Sequence, residues 1–143
     1  NAGGARVTLG SLRARAGARV ILWASGAEWC TVCRSKVPLF KKLHTEHLAA
    51  GLIVLESLHQ SSDSTPANAA TLQRWTAAYA PAHTLVAERS PPHETREGNP
   101  LVFVIDARTM KILFRESYSG SGTLEAQVKA ALAAAPANPT ATP

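Results

Sequence analysis

The sequence predicts an α/β domain with a mixed central β-sheet flanked by helices on both faces. Three observations carry this. Val20-Ile21-Leu22-Trp23-Ala24 and Leu101-Val102-Phe103-Val104-Ile105 are short apolar runs suited to strands buried on both faces. Segments with apolar residues at helical spacing alternate with such runs. The elements fall in the order β-α-β-α-β-β-α, and the closing hairpin requires a sheet of mixed direction.

Taken in order, Val7-Thr8-Leu9 reads as a short extended segment before a basic turn from Arg13 to Arg19. The first strand covers 20–24. From Arg34, residues Val37, Phe40, Leu43 and Leu48 keep helical spacing, Gly51 is a stop, and Pro38 predicts a kink. Leu52 to Leu58 is the second strand. Ser61 to Thr65 is a loop in which Thr65 is an N-cap and Pro66 the first helical position. Ala69, Leu72, Trp75 and Tyr79 mark one face of that helix. Thr84 to Val86 is a short extended piece, followed by a polar loop from Glu88 to Asn99.

The strong strand at 101–105 turns through Asp106 to Thr109 into a partner from Lys111 to Glu116. Gly120-Ser121-Gly122 leads to Thr123, read as the cap of a last helix with Leu124, Val128 and Leu132. The domain is placed at 1–132, with 133–143 a low-complexity Ala/Pro-rich tail.

The chain has 143 residues, enough for one domain with a core that needs no disulfide staples. Its longest apolar runs are only a few residues, so no segment reads as a membrane span. Fifteen basic against ten acidic side chains give a net charge of +5. The basic residues form no dense block with interleaved aromatics, and a solvated surface is favoured over nucleic-acid binding.

Chemistry concentrates in Trp29-Cys30-Thr31-Val32-Cys33, which holds both cysteines and is followed by Pro38. A strand turning into a helix at Cys-x-x-Cys puts the first sulfur at the helix N-terminus. Unpaired N–H groups and the positive end of the dipole there favour thiolate. The second sulfur lies one turn in, within reach of the first. Two cysteines this close are redox-active or metal-binding, because they cannot join distant parts of the chain.

These residues resemble the thioredoxin superfamily, most closely the TlpA-like (AhpC/TSA-like, redoxin) thiol-disulfide oxidoreductases. The resemblance covers most of 7–132. It rests on Val7-Thr8-Leu9 with Ser11-Leu12, Val20-Ile21-Leu22, and Ala27-Glu28-Trp29-Cys30-x-x-Cys33-Arg34 with Pro38. Further on it includes Asn99-Pro100 before Leu101 to Asp106 and the closing hairpin and helix. It implies a thioredoxin-like fold with an extra helix inserted before the strand that follows a cis-proline, Pro100. Catalytic Cys30 and Cys33 follow from it, with Trp29, Asn99 and Pro100 binding substrate and no cofactor. The chain departs from the pattern at Ala24, where relatives often carry a buried Asp, and at Ser25-Gly26, where they usually have Phe-Trp. Glu56 is a candidate for the missing proton-transfer group; a solvent-facing charge is the competing reading.

The expected function is exchange of the Cys30/Cys33 disulfide or dithiol with cysteines of partner proteins, by a monomer acting outside the cytoplasm of a bacterium. An export signal or lipid anchor is expected on a segment preceding this sequence. Two other readings compete with this one. Zinc held by Cys30, Cys33, His44 and His47 conflicts with the usual ligand spacing. A peroxiredoxin-like peroxidase with Cys33 as the peroxidatic sulfur needs Pro at 26 and Thr at 30, where this chain has Gly26 and Cys30.

Overall fold

Val20-Ile21-Leu22 has no polar face, so a strand made from it needs partners on both edges and cover on both sides. The computed structural model describes residues 5–88, 98–117 and 122–136. In it the chain runs α1 (Leu9–Arg13), β1 (Val20–Ala27), α2 (Thr31–His47), β2 (Leu52–Gln60), α3 (Ala69–Tyr79), β3 (Thr84–Ala87), β4 (Leu101–Asp106), β5 (Ile112–Ser117) and α4 (Leu124–Ala134). The sheet order is β3-β2-β1-β4-β5, with β1 in the centre. β1 pairs parallel with β2 from Val20↔Leu52 onward, and antiparallel with β4 from Val20↔Asp106 to Ser25↔Leu101. The two strongest apolar runs are thus neighbours, as expected.

Side-chain alternation separates two core layers. Val20, Leu22, Leu52, Val54, Val102 and Val104 meet Phe40 and Leu43 of α2 and Val128 and Leu132 of α4. Ile21, Ile53, Leu55, Phe103 and Ile105 face the other way onto Leu12 of α1. Leu72 and Trp75 of α3 join Val37 of α2 on Leu58. Among the described residues, one face therefore carries three helices and the other only α1. Burial of Trp75 or Phe40 contributes about 1.5–3 kcal/mol each by the usual scale for large apolar side chains.

Several boundaries differ from the sequence reading. Thr8 is extended as expected, but Leu9 is not: it opens α1, which Thr8 caps, and the Thr8 and Ser11 hydroxyls exchange bonds with each other's backbone N–H at 3.0 Å. That reciprocal cap starts a helix that delivers Leu12 to the core. The third helix begins at Ala69, not Pro66. Asn68 is its N-cap, paired with Thr71, while Pro66 forms an isolated bridge with Gln60. Ser61, Asp63 and Thr65 bond to one another and keep this stretch in a turn. The piece at 84–86 pairs with β2 and makes the sheet five-stranded. Thr123 makes no side-chain cap bond.

α4 continues past residue 132 to Ala134, and Ala135 is buried. Arg19 donates to the carbonyls of Leu132 and Ala135, which the helix end leaves without intrahelical partners. The parts of the predicted loop and tail at 89–97 and 137–143, and Gly120-Ser121, lie outside the described residues.

Gly51 ends the α2–β2 connection at φ +92°, and its carbonyl accepts from Arg19 and Val20 N–H at 2.9 and 3.2 Å. A Cβ there would overlap the Gly17 carbonyl oxygen and the Arg19 side chain. Gly51→Ala is expected to destabilise the fold by more than about 1 kcal/mol, read as a lower denaturant midpoint at unchanged slope.

Candidate active site: a disulfide at a helix N-terminus

β1 does not stop at Ala24 but runs to Ala27, with a register shift between Gly26 and Ala27. The bulge re-aims the chain, and Ala27 O receives Cys30 N–H at 3.1 Å. Cys30 is the N-cap of α2. Its extended backbone (φ −75°, ψ 111°) turns the sulfur onto the first turn, where it accepts from Cys33 N–H at 3.1 Å. Cys30 and Cys33 are joined as a disulfide, with Cα atoms 5.2 Å apart. Cys30 is 5% exposed and Cys33 3%.

Gly26, one of the two positions that depart from the Phe-Trp pattern, sits against the second cysteine. A Cβ on it would lie 2.8 Å from Cys33 Sγ, so that sulfur occupies space any side chain at 26 would claim. Ser25 points to the opposite face. It donates to Glu88 Oε2 at 2.9 Å, as does Ser57 at 2.8 Å, and Ser57 in turn accepts from Trp23 Nε1. A hydroxyl network holds the end of β3 where an aromatic was expected.

Trp29 is 42% exposed beside Cys30, its indole N–H donating to Gln60 Oε1 at 3.0 Å. The Asn99–Pro100 peptide bond is cis, and Asn99 O lies 3.6 Å from Cys30 Sγ. Asn99 Oδ1 is buried with no hydrogen-bond partner among the described residues. The predicted site residues Trp29, Cys30, Cys33, Asn99 and Pro100 thus come together.

Glu56 does not face solvent: it is buried in β2. Its Oε2 accepts from Trp75 Nε1 at 3.3 Å and lies 2.9 Å from His83 Nε2. Neither cysteine is among its hydrogen-bond partners, so its tie to the sulfurs runs through packing, since Trp75 shares a cluster with both. His44 packs at 6.2 Å from the His83 ring, and burial, more than the nearby His83 and Arg15, pushes its pKa below 6.5. His44 is eleven residues beyond Cys33 on one helix, about 16 Å along the axis. The four residues of the zinc reading therefore do not converge.

Sequence reasoning missed Glu28 as part of the site. Its carboxylate takes Arg74 Nε and Nη2 at 2.8 and 2.7 Å and Ser62 N–H at 2.9 Å, while its carbonyl takes Arg34 Nε and Nη2 at 2.9 and 2.6 Å. The available signal was an acidic residue in the otherwise uncharged run 20–33.

No family model and no curated protein matches this sequence. Solved structures do. A candidate thiol:disulfide interchange protein DsbE of Chlorobium tepidum superposes with TM-score 0.69 at 24% identity, covering 88% of this chain and 86% of that one. A thioredoxin-family thiol:disulfide interchange protein of Chlorobium tepidum TLS gives 0.65 at 17% identity over 92% and 89%. A thioredoxin-like superfamily protein gives 0.70 at 19% identity over 95% and 92%. The chain has the thioredoxin-like fold. Its neighbours on that fold include proteins described as thiol:disulfide interchange proteins.

The Arg74 bonds, outweighing burial, hold the Glu28 carboxyl below its usual 4.5. A carboxylate with a lowered folded pKa adds stability in full above the unfolded value and loses it as pH falls through the folded value. Stability measured by denaturant from pH 6 downward is expected to drop over that acid range, and less steeply in Glu28→Gln.

Proposed function

We propose that this chain is a thiol-disulfide oxidoreductase that exchanges the Cys30–Cys33 pair with cysteines of partner proteins. The observation that carries the reading is the disulfide at the N-terminus of α2, with Cys33 N–H aimed at Cys30 Sγ and Asn99 O alongside. The helix end and that N–H stabilise a Cys30 thiolate more than one at Cys33, because the field fades within a turn.

In the reducing direction, the Cys30 thiolate attacks a partner disulfide. One Cys30–partner bond forms, the partner's S–S bond breaks, and its second sulfur leaves as thiolate. Cys33, losing its proton, then attacks Cys30 Sγ and releases the other partner sulfur. Two electrons pass to the partner, and the reverse sequence oxidises a dithiol. Cys33 serves as the resolving thiol because it is held against Gly26, inside the site. Trp29 and the Asn99–Pro100 backbone edge a groove for an extended segment of the partner, bound by strand-like hydrogen bonds. Glu56, linked to His83, is the proton-transfer candidate behind this pair.

A monomer working outside the cytoplasm is part of the proposal. The two-cysteine economy and the TlpA-like resemblance of the sequence support it. No helix among the described residues is long and apolar enough to cross a membrane. An export signal on the full-length precursor is the expected finding.

Cys33→Ser is expected to trap mixed disulfides through Cys30, seen as dithiothreitol-sensitive adducts by mass, and to lose nearly all turnover with insulin as substrate. A variant that traps no protein yet is oxidised rapidly by peroxide alone would replace this reading with a peroxidase.

A further inference from the structure

Glu28 is 8% exposed and stands two residues before Cys30, a rare place for a carboxylate. Every polar atom it has is engaged. Its N–H donates to Gln60 O at 2.9 Å, and Arg34 of α2 binds its carbonyl with two donors. Arg74 of α3 takes both carboxylate oxygens in a two-pronged grip, and Ser62 N–H adds a third bond. Arg74 lies 46 residues from Glu28 in sequence and comes from the helix between β2 and β3. α3 therefore places one positive charge on the only acidic side chain of the active-site turn.

Reduction of the disulfide leaves a negative charge on Cys30. A buried carboxylate two residues before it in the chain opposes that charge unless a cation compensates it. The other charged groups around Glu28 are Arg34 from α2 and Asp63 from the 61–65 turn. Asp63 is bound by Ser61 and Thr65 and also acts on Arg74.

Resting on the exchange reading above, we propose that Arg74 is a positioning residue for the redox pair. By neutralising Glu28, it sets the balance between the Cys30–Cys33 disulfide and the dithiol. The ion pair is a charge device as well as a clamp.

The balance is read against glutathione: the protein disulfide and two glutathione thiols give the dithiol and one glutathione disulfide. Two electrons pass to the protein. One thiol proton goes to Cys33, and the other goes to Cys30 or is released to water when Cys30 stays thiolate.

At pH 7, Arg74→Met strands the carboxylate and should shift this equilibrium toward the protein disulfide on the order of threefold. Glu28→Gln removes the negative charge and leaves Arg74, so it should shift the equilibrium toward the dithiol by a similar factor. The double variant should return close to wild type, and Arg74→Lys should stay near it. Iodoacetamide labelling of Cys30 should move to higher pH in Arg74→Met and to lower pH in Glu28→Gln.

A purely structural clamp predicts otherwise: both single variants lose thermal stability and shift the equilibrium in one direction or not at all. That result overturns the inference. If Arg74→Met does not fold, Glu28→Gln decides, and no shift toward the dithiol there overturns it equally. A wild-type protein that equilibrates with glutathione while the variants fail keeps the exchange reading. A wild-type protein that does not equilibrate sinks both.

Discussion

The opposite directions of the two strands flanking β1 govern the rest of this structure. β2 runs parallel to β1, so their connection must cross over, and α2 starts where β1 ends. β4 runs antiparallel, so it begins at the same end, with Leu101 opposite Ser25. The turn holding Cys30 and the backbone of Asn99-Pro100 are thereby delivered to one edge of the sheet. Backbone pairing of β1 with β4 brings them there, and the apolar character of 20–24 and 101–105 buries that pair between the two core layers.

Within that frame, two small features adapt the site to this chain. Gly26 leaves room for Cys33 Sγ, and Ser25 makes a hydroxyl bridge to Glu88 on the other face. Both changes belong to one dipeptide, yet they act on opposite faces, because neighbouring strand residues alternate. Any side chain at 26 would have to displace Cys33 Sγ or move from it.

Much of this was legible in the sequence, where the signal was periodic or local. The central strands, the helix after Cys33 and the closing hairpin follow from apolar runs and helical spacing, while the clustering of Trp29, Cys30, Cys33, Asn99 and Pro100 is implied by the family resemblance. The misreadings share a cause. Thr8 and Asn68 cap their helices by reciprocal bonds with Ser11 and Thr71, whereas Thr65 and Pro66, with the stronger textual signature, are held by the Asp63 turn and the Gln60 bridge. Glu28 was invisible for another reason: its partner lies on a different element, and no spacing rule connects 28 to 74. Glu56 likewise shows its burial only once β3 and α3 deliver His83 and Trp75 to it.

The shortness of the loop between the cysteines has a consequence for how the chain divides its free energy. Cross-linking two residues three apart removes little disorder from the unfolded chain, about 2 kcal/mol by the loop-entropy relation, against about 4.7 for a hundred-residue loop. The core is closed by the strand pairs and helices instead, so opening the S–S bond leaves the cover over β1 intact. Folding therefore leans on the disulfide less than it would on a long-range cross-link. The disulfide can cycle within a core that the sheet and helices close on their own pairings.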